Sequence, residues 1–179
     1  MPDRAAHHDP KQHDPKQPEL TQADIEALRR YFRYHWTEKV AFNKASGLRV
    51  DRWDPDGCTV SVDYREDLSA HPGMIHGGVI AAVIDTCGGG AVMAGHDFAG
   101  GTRLTTVSMS IQYTGAAPGE GIVAHSTCTK RGRKISYCEV RVFSAASGKP
   151  IADAIVTTNL HRSREGIDKL LAIARARFG

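Results

Sequence analysis

Between residues 71 and 90 the chain reads HPGMIHGGVIAAVIDTCGGG, and one carboxylate, Asp85, sits inside its apolar run. With apolar neighbours on both sides, Asp85 needs a partner or a function, because an unpaired buried carboxylate costs several kcal/mol. Gly77 and Gly78 stand where a helix would begin. N–H groups of a first helical turn lack partners within the helix and lie at the positive end of its dipole. A carbonyl oxygen gaining negative charge is stabilised at such a point. A carboxylate together with an oxyanion site suggests acyl hydrolysis. No G-x-S-x-G is present, so no serine nucleophile is signalled. The carboxylate then acts on water as a general base, or attacks the carbonyl itself.

These groups need a helix to hold them. On a helix, Ile80, Val83, Ile84, Cys87, Ala91 and Ala94 form one apolar stripe that should lie against a sheet. The opposite side carries Gly78, Ala81, Ala82, Asp85, Gly89 and Val92. Each glycine among Gly88–Gly90 costs up to ~1 kcal/mol relative to Ala in a helix. Either the helix ends at Gly88, or the small face admits a second chain or a ligand. Gly77 and Asp85 are eight residues apart, which is roughly 12 Å along a helix rising 1.5 Å per residue. One carbonyl must sit about 3 Å from both an oxyanion donor and an attacking group. A single helix cannot supply both. Two antiparallel helices from two subunits can, if they pack through Ala81, Ala82 and Gly89.

The rest of the chain supplies the frame. Residues 1–20 are polar and proline-rich, with the tandem repeat HDPKQHDPKQ, and read as a disordered tail. Residues 21–179 read as a single domain: a helix over 21–44, a core over 45–160 and a C-terminal helix over 163–178. Thr21 is a candidate N-cap, and Ile25, Leu28 and Phe32 recur on one face. Two strands flank the turn Asp54–Gly57, and four more follow the central helix. In the first of these, Leu104, Thr106, Ser108 and Ser110 alternate against Thr105, Val107, Met109 and Ile111. The fold class is α+β, an antiparallel sheet wrapped over one hydrophobic helix.

The chain's 179 residues carry a formal charge of +3. Its one basic cluster, Lys130-Arg131-Gly132-Arg133-Lys134, is too small for a nucleic-acid footprint. It suits a local anion site or a solvated hairpin turn. Four cysteines without C-x-x-C spacing imply no metal site and no disulfide framework, and suggest a reduced, cytoplasmic setting. No secretory leader and no membrane-spanning run are read in the sequence.

The segment GMIHGGVIAAVIDTCGG resembles the hotdog-fold acyl-CoA thioesterases of the PaaI-like group, which share an H-G-G opening and an acid nine residues after the histidine. His76, Gly77, Gly78 and Asp85 match that spacing. TTVSMSIQYTGAAPG and GRKISYCEV resemble the strands that follow, so the likeness spans roughly residues 45–160. The resemblance implies a hotdog fold with extra N- and C-terminal helices, and an acyl-CoA substrate with no further cofactor. It also implies a homodimer with shared active sites, assembled as a dimer of dimers. Gly77 would supply the oxyanion N–H, Asp85 would be nucleophile or general base, His76 would order the helix start, and Thr106 would assist the acid. Gly78, Ser108 and residues 130–134 would meet substrate, the last through the CoA nucleotide and phosphates. Many members carry Asn or Gln six residues before the H-G-G histidine. Here Ala70 stands there, and the adjacent His71 is the candidate substitute. Two other readings remain open: a hotdog dehydratase or hydratase, which HPGM resembles, and a non-catalytic acyl-CoA-binding protein.

Overall fold

Thr21 starts the first helix, α1 (Gln22–Glu38), with a reciprocal cap: its hydroxyl accepts the Asp24 N–H at 3.2 Å, and the Asp24 carboxylate accepts the Thr21 N–H at 3.0 Å. The computed structural model describes residues 20–55, 57–95, 98, 103–116, 118–161 and 167–179. The tail expected over residues 1–20 lies outside them, except for Leu20, which packs against the core. α1 stops well short of residue 44. Val40 is extended (φ −73°, ψ 111°) and begins a second short helix, α2 (Ala41–Ser46). The buried Asn43 side chain donates to the Trp36 carbonyl at 2.9 Å, satisfying part of the C-terminus of α1 and folding α2 back against it. Gly47, at φ 71°, closes α2 in the left-handed conformation. No Pro or Gly marks the break at Lys39–Val40, so the hydrophobic period alone reads as one helix.

Antiparallel strands β1 (Arg49–Asp54) and β2 (Gly57–Val62) flank the expected turn. A small hairpin follows, β3 (Ser69–His71) and β4 (Met74–Ile75), turned by Pro72-Gly73 with Gly73 at φ 80°. Pro then a positive-φ Gly is the sequence of a type II turn. The hairpin delivers the chain into the central helix α3 (Gly77–Ala94). β5 (Arg103–Tyr113), β6 (Ile122–Arg131), β7 (Ile135–Ser144) and β8 (Pro150–His161) complete one six-stranded sheet in the order β1-β2-β6-β7-β8-β5. The C-terminal helix α4 (Ile167–Phe178) lies on α1 through buried Ile167, Leu171 and Ala174. Arg175 clamps the pair by donating to both oxygens of Asp24 at 2.6 and 2.9 Å. That hydrogen bonding holds the Asp24 carboxyl well below the usual carboxylate range. The rest of the C-terminal helix expected over 163–178 starts outside the described residues.

The sheet wraps α3, which is the hotdog arrangement. All six residues of the expected stripe, Ile80 through Ala94, are buried. By length and composition α3 is apolar enough to cross a bilayer, against the expectation of no such run, but most of it is buried under the sheet. Val92, expected on the open side, is also fully buried. The three glycines let neighbouring elements approach this half of the helix closely. A Cβ on Gly88 would lie 2.8 Å from the Val156 side chain, and one on Gly90 would lie 2.5 Å from Cys58 Sγ. One on Gly89 would meet Leu104 at 3.2 Å and Trp36 at 3.4 Å. The helix therefore does not end at Gly88, and these glycines admit the chain's own sheet and α1. The expected use of Gly89 in a seam with a second chain is corrected: Trp36 already covers it.

Candidate active site

The start of α3 is built by His76. As N-cap, its Nδ1 accepts the Gly78 N–H at 2.8 Å, while its carbonyl accepts the N–H groups of Val79 and Ile80. That leaves the Gly77 N–H, which has no acceptor among the described residues. The two glycines are thus not equivalent. A Cβ on Gly78 would sit 2.9 Å from His76 Nδ1 and push the cap away; a Cβ on Gly77 would meet only the Tyr113 ring at an ordinary 3.7 Å. Gly78 makes room for the capping histidine, and its amide is engaged there. Gly77 keeps its amide available at the positive end of the dipole.

Two turns further on, Asp85 is half-buried and accepts the Thr106 hydroxyl on Oδ1 at 2.5 Å. Oδ2 takes no hydrogen bond from the described residues. The pair lies in a groove of about 510 Å³ between α3, the start of β5 and the α1–α2 junction. α3 is one uninterrupted helix from Gly77 to Ala94, so the Gly77 amide and Asp85 are roughly 12 Å apart along its axis. Between them Gly78, Ala81 and Ala82 remain at least partly exposed, as does Thr86 just beyond Asp85. This half of the helix is open on one side.

A β-bulge decides what β5 presents to α3. Thr106 is opposite Thr158 and Ser108 is opposite Thr157, so Val107 is an extra residue. Before the bulge, Leu104 and Thr106 point to the helix. After it the alternation shifts by one: Ile111 packs on the core, and the Tyr113 hydroxyl donates to the Gly77 carbonyl at 3.1 Å. Ser108, expected beside Thr106, falls on the other face. Strict alternation hides Tyr113, which stands over Gly77 and was not among the expected site residues.

A second bulge, at Thr129, does the same to the basic cluster. Cys128 faces Cys138 and Lys130 faces Tyr137, which turns Arg131 inward opposite buried Ser136. Arg131 donates to the carbonyls of Val92 and Ala91 at 2.5 and 3.3 Å. It satisfies the negative C-terminal end of α3, where a cation is favoured. The Gly132 N–H donates to the Ile135 carbonyl at 3.0 Å within the hairpin turn. Of the five expected residues, Lys130, Arg133 and Lys134 are exposed, and the last two line a cleft with Asn159, Leu160 and His161. His161 Nε2 lies 3.0 Å from Thr105 Oγ1, so this basic cleft adjoins the β5 end of the Asp85 groove. His71 is exposed on β3, near the Gly77 end of α3 rather than near Asp85. No group of three or more His, Cys, Asp or Glu residues among the described residues has metal-site geometry.

Residues 72–151, which include every element from the β3–β4 turn through the start of β8, match the Thioesterase superfamily. An Escherichia coli protein named as a medium/long-chain acyl-CoA thioesterase is 23% identical over 131 residues, 66% of this chain and 82% of its own. A Shewanella oneidensis protein described as related to the thioesterase superfamily superposes with a TM-score of 0.70 at 24% identity, covering 79% of this chain and 99% of that one. A Streptococcus pneumoniae thioesterase protein solved with coenzyme A superposes at 0.58 and 18% identity, over 66% and 88% of the two chains. Over its central segment the chain thus carries the sequence pattern of the thioesterase superfamily, on the hotdog fold of these structures.

Proposed function

We propose that the protein is an acyl-CoA thioesterase that converts a thioester and water into a carboxylic acid and free coenzyme A thiol. Asp85 either takes the proton of the attacking water or attacks the carbonyl carbon itself. Thr106 fixes Oδ1 and leaves Oδ2 for that step. The carbonyl oxygen, as it gains charge, accepts the Gly77 N–H. Collapse of the tetrahedral intermediate breaks the C–S bond. On the general-base route the departing thiolate takes the proton that Asp85 accepted from water. On the nucleophilic route water then hydrolyses the acyl–Asp85 anhydride, which releases the acid, restores the carboxylate and returns a proton to the thiolate. His76 orients the helix start, and Tyr113 steadies the Gly77 peptide from its carbonyl side. Arg133 and Lys134 offer a positive landing for the CoA phosphates in the cleft that His161 also lines. The acyl-CoA class is supported by the named activity of the E. coli relative.

The single observation that carries this reading is the separation of Asp85 from the one unengaged amide of the α3 N-terminus, with an open small-residue seam between them. It calls for a second α3 laid antiparallel, so that each site combines Gly77 of one subunit with Asp85 of the other. The edge of the sheet favours that assembly. β5 is an outer strand, and its Val107, Tyr113 and Met109 are 57%, 53% and 39% exposed. A long apolar edge of this kind is an unstable surface until another strand covers it. On the outer sheet face, exposed Ile155 and Tyr137 favour a further pairing of dimers. The test is thiol release from a panel of acyl-CoAs. Stoichiometric release of free thiol and acid is expected. Hydration of an enoyl-CoA without thiol release would assign the fold to a hydratase, and binding without turnover would assign it to an acyl-CoA-binding protein.

A further inference from the structure

The groove beside Asp85 has walls that precede the superfamily match at residue 72. Its floor is one face of α3, from Ala82 past Asp85 to Gly89, and Leu104 and Thr106 of β5 form one side. The other side is the α1–α2 junction, with Trp36, Val40 and Phe42. Trp36 and Leu104 converge over Gly89, within 3.4 Å of where its Cβ would be, and close that end. Phe42 stands at the rim and is 56% exposed, a large apolar side chain held out by a six-residue helix. The junction is fixed rather than loose. Buried Asn43 holds the Trp36 carbonyl at 2.9 Å, and the Ser46 hydroxyl donates to the Phe42 carbonyl at 2.8 Å.

We infer that the α1–α2 junction is the wall of the acyl-chain site, and that Val40 and Phe42 set which chain lengths the enzyme prefers. The inference rests on the thioesterase reading. A carbonyl held at Asp85 must send its two substituents in different directions. The groove volume lies within the range of about 300–1,000 Å³ typical of small-molecule sites. Asp85 is the one charged residue among those lining the groove. Phosphates placed there would face a carboxylate with no cation to answer them, so the nucleotide end of the substrate does not enter. An apolar chain does, and it gives Phe42 a covered face. The basic cleft at Arg133 and Lys134 lies across β5 and receives the opposite end. Each further methylene that the wall buries favours binding, so a wall of this kind registers as a preference for longer chains.

The experiment compares kcat/KM for decanoyl-CoA and butyryl-CoA by thiol release, in the full-length wild type and in Phe42→Ala, Phe42→Leu and Val40→Phe. Phe42 is more than half exposed, so its truncation leaves the fold intact, which thermal melts check. The decanoyl-to-butyryl ratio is expected to fall roughly tenfold in Phe42→Ala, to be largely kept in Phe42→Leu, and to fall at least as far in Val40→Phe, which fills the groove. Ratios unchanged within twofold in all three variants, with both thioesters still hydrolysed, overturn the assignment of the wall and leave the thioesterase reading standing. A wild type that hydrolyses neither thioester overturns that reading and, with it, the acyl site.

Discussion

The two halves of α3 are built from similar residues and do opposite things. From Gly77 to Thr86 the helix is covered on one side and open on the other, with one amide and one carboxylate exposed to the opening. From Cys87 to Ala94 it is buried all round, by the sheet, by α1 and by Arg131. Glycines occur in both. In the first half they shape a cap and leave an N–H available; in the second they remove side chains that would collide with Val156 and Cys58. A glycine-rich helix therefore carries no single message. What each glycine faces decides whether it belongs to chemistry or to packing.

Substitutions separate the halves. Asp85→Asn keeps the shape of the first half and removes its charge. Turnover should fall ~10²–10⁴-fold, as for loss of a general base, with an unchanged melting curve. A variant with near-normal kcat would remove Asp85 from the chemistry. In the second half, Gly90→Ala should destabilise the protein by about 1–3 kcal/mol in urea unfolding, because overpacking against Cys58 outweighs the helix-propensity gain. If it were neutral, the close packing of this half would be in error.

A row of hydroxyls connects the two regions across the sheet. Thr106, Thr158 and Ser136 are cross-strand neighbours, ending opposite Arg131. Thr158 and Ser136 are fully buried, and their hydroxyls have no partner among the described residues. Removing an unpaired buried hydroxyl without changing shape is neutral or favourable. Thr158→Val is thus expected to keep or raise stability by up to about 1 kcal/mol in the same urea assay; a clear loss would reveal a partner for that hydroxyl. Gly77→Ala should be the mildest change, within about 0.5 kcal/mol in urea, because its Cβ meets only ordinary contact with Tyr113. Equal penalties at Gly77 and Gly90 would erase the contrast between the halves.

Much of the frame was legible. The α3 stripe, the Asp54–Gly57 turn and the order of the long elements follow from periodicity and turn residues, because those signals are local; the short α2 and the β3–β4 hairpin were not read. The pairing of Thr106 with Asp85 was implied by resemblance, and the geometry brings the two together. What stayed hidden are one-residue slips and side-chain directions. In TTVSMSIQY the apolar Val107, Met109, Ile111 and Tyr113 alternate with polar residues, but no turn residue marks Val107 as extra, so Ser108 was read on the face of Thr106 and Tyr113 was not expected at the site. Arg131 looked like its exposed neighbours until the bulge at Thr129 turned it under α3. The role of Gly88–Gly90 depended on Val156, Cys58 and Trp36, residues distant in sequence.

The central claim is that one site joins the α3 N-terminus of one chain to Asp85 of another, and mixing two inactive variants tests it most directly. Asp85→Ala removes the acid. Gly77→Pro removes the amide hydrogen at a first helical position where proline is well tolerated. His76, at φ −63° and ψ 136°, already has the extended conformation that a following proline requires. In a mixed dimer one site receives both lesions and the other receives neither. With equal amounts and random exchange, about half of the dimers are mixed and half of their sites are intact, so activity should return to roughly a quarter of wild type. If both variants remain folded dimers, exchange subunits and stay inactive together, the amide and the acid act within one chain, and this account of α3 is contradicted.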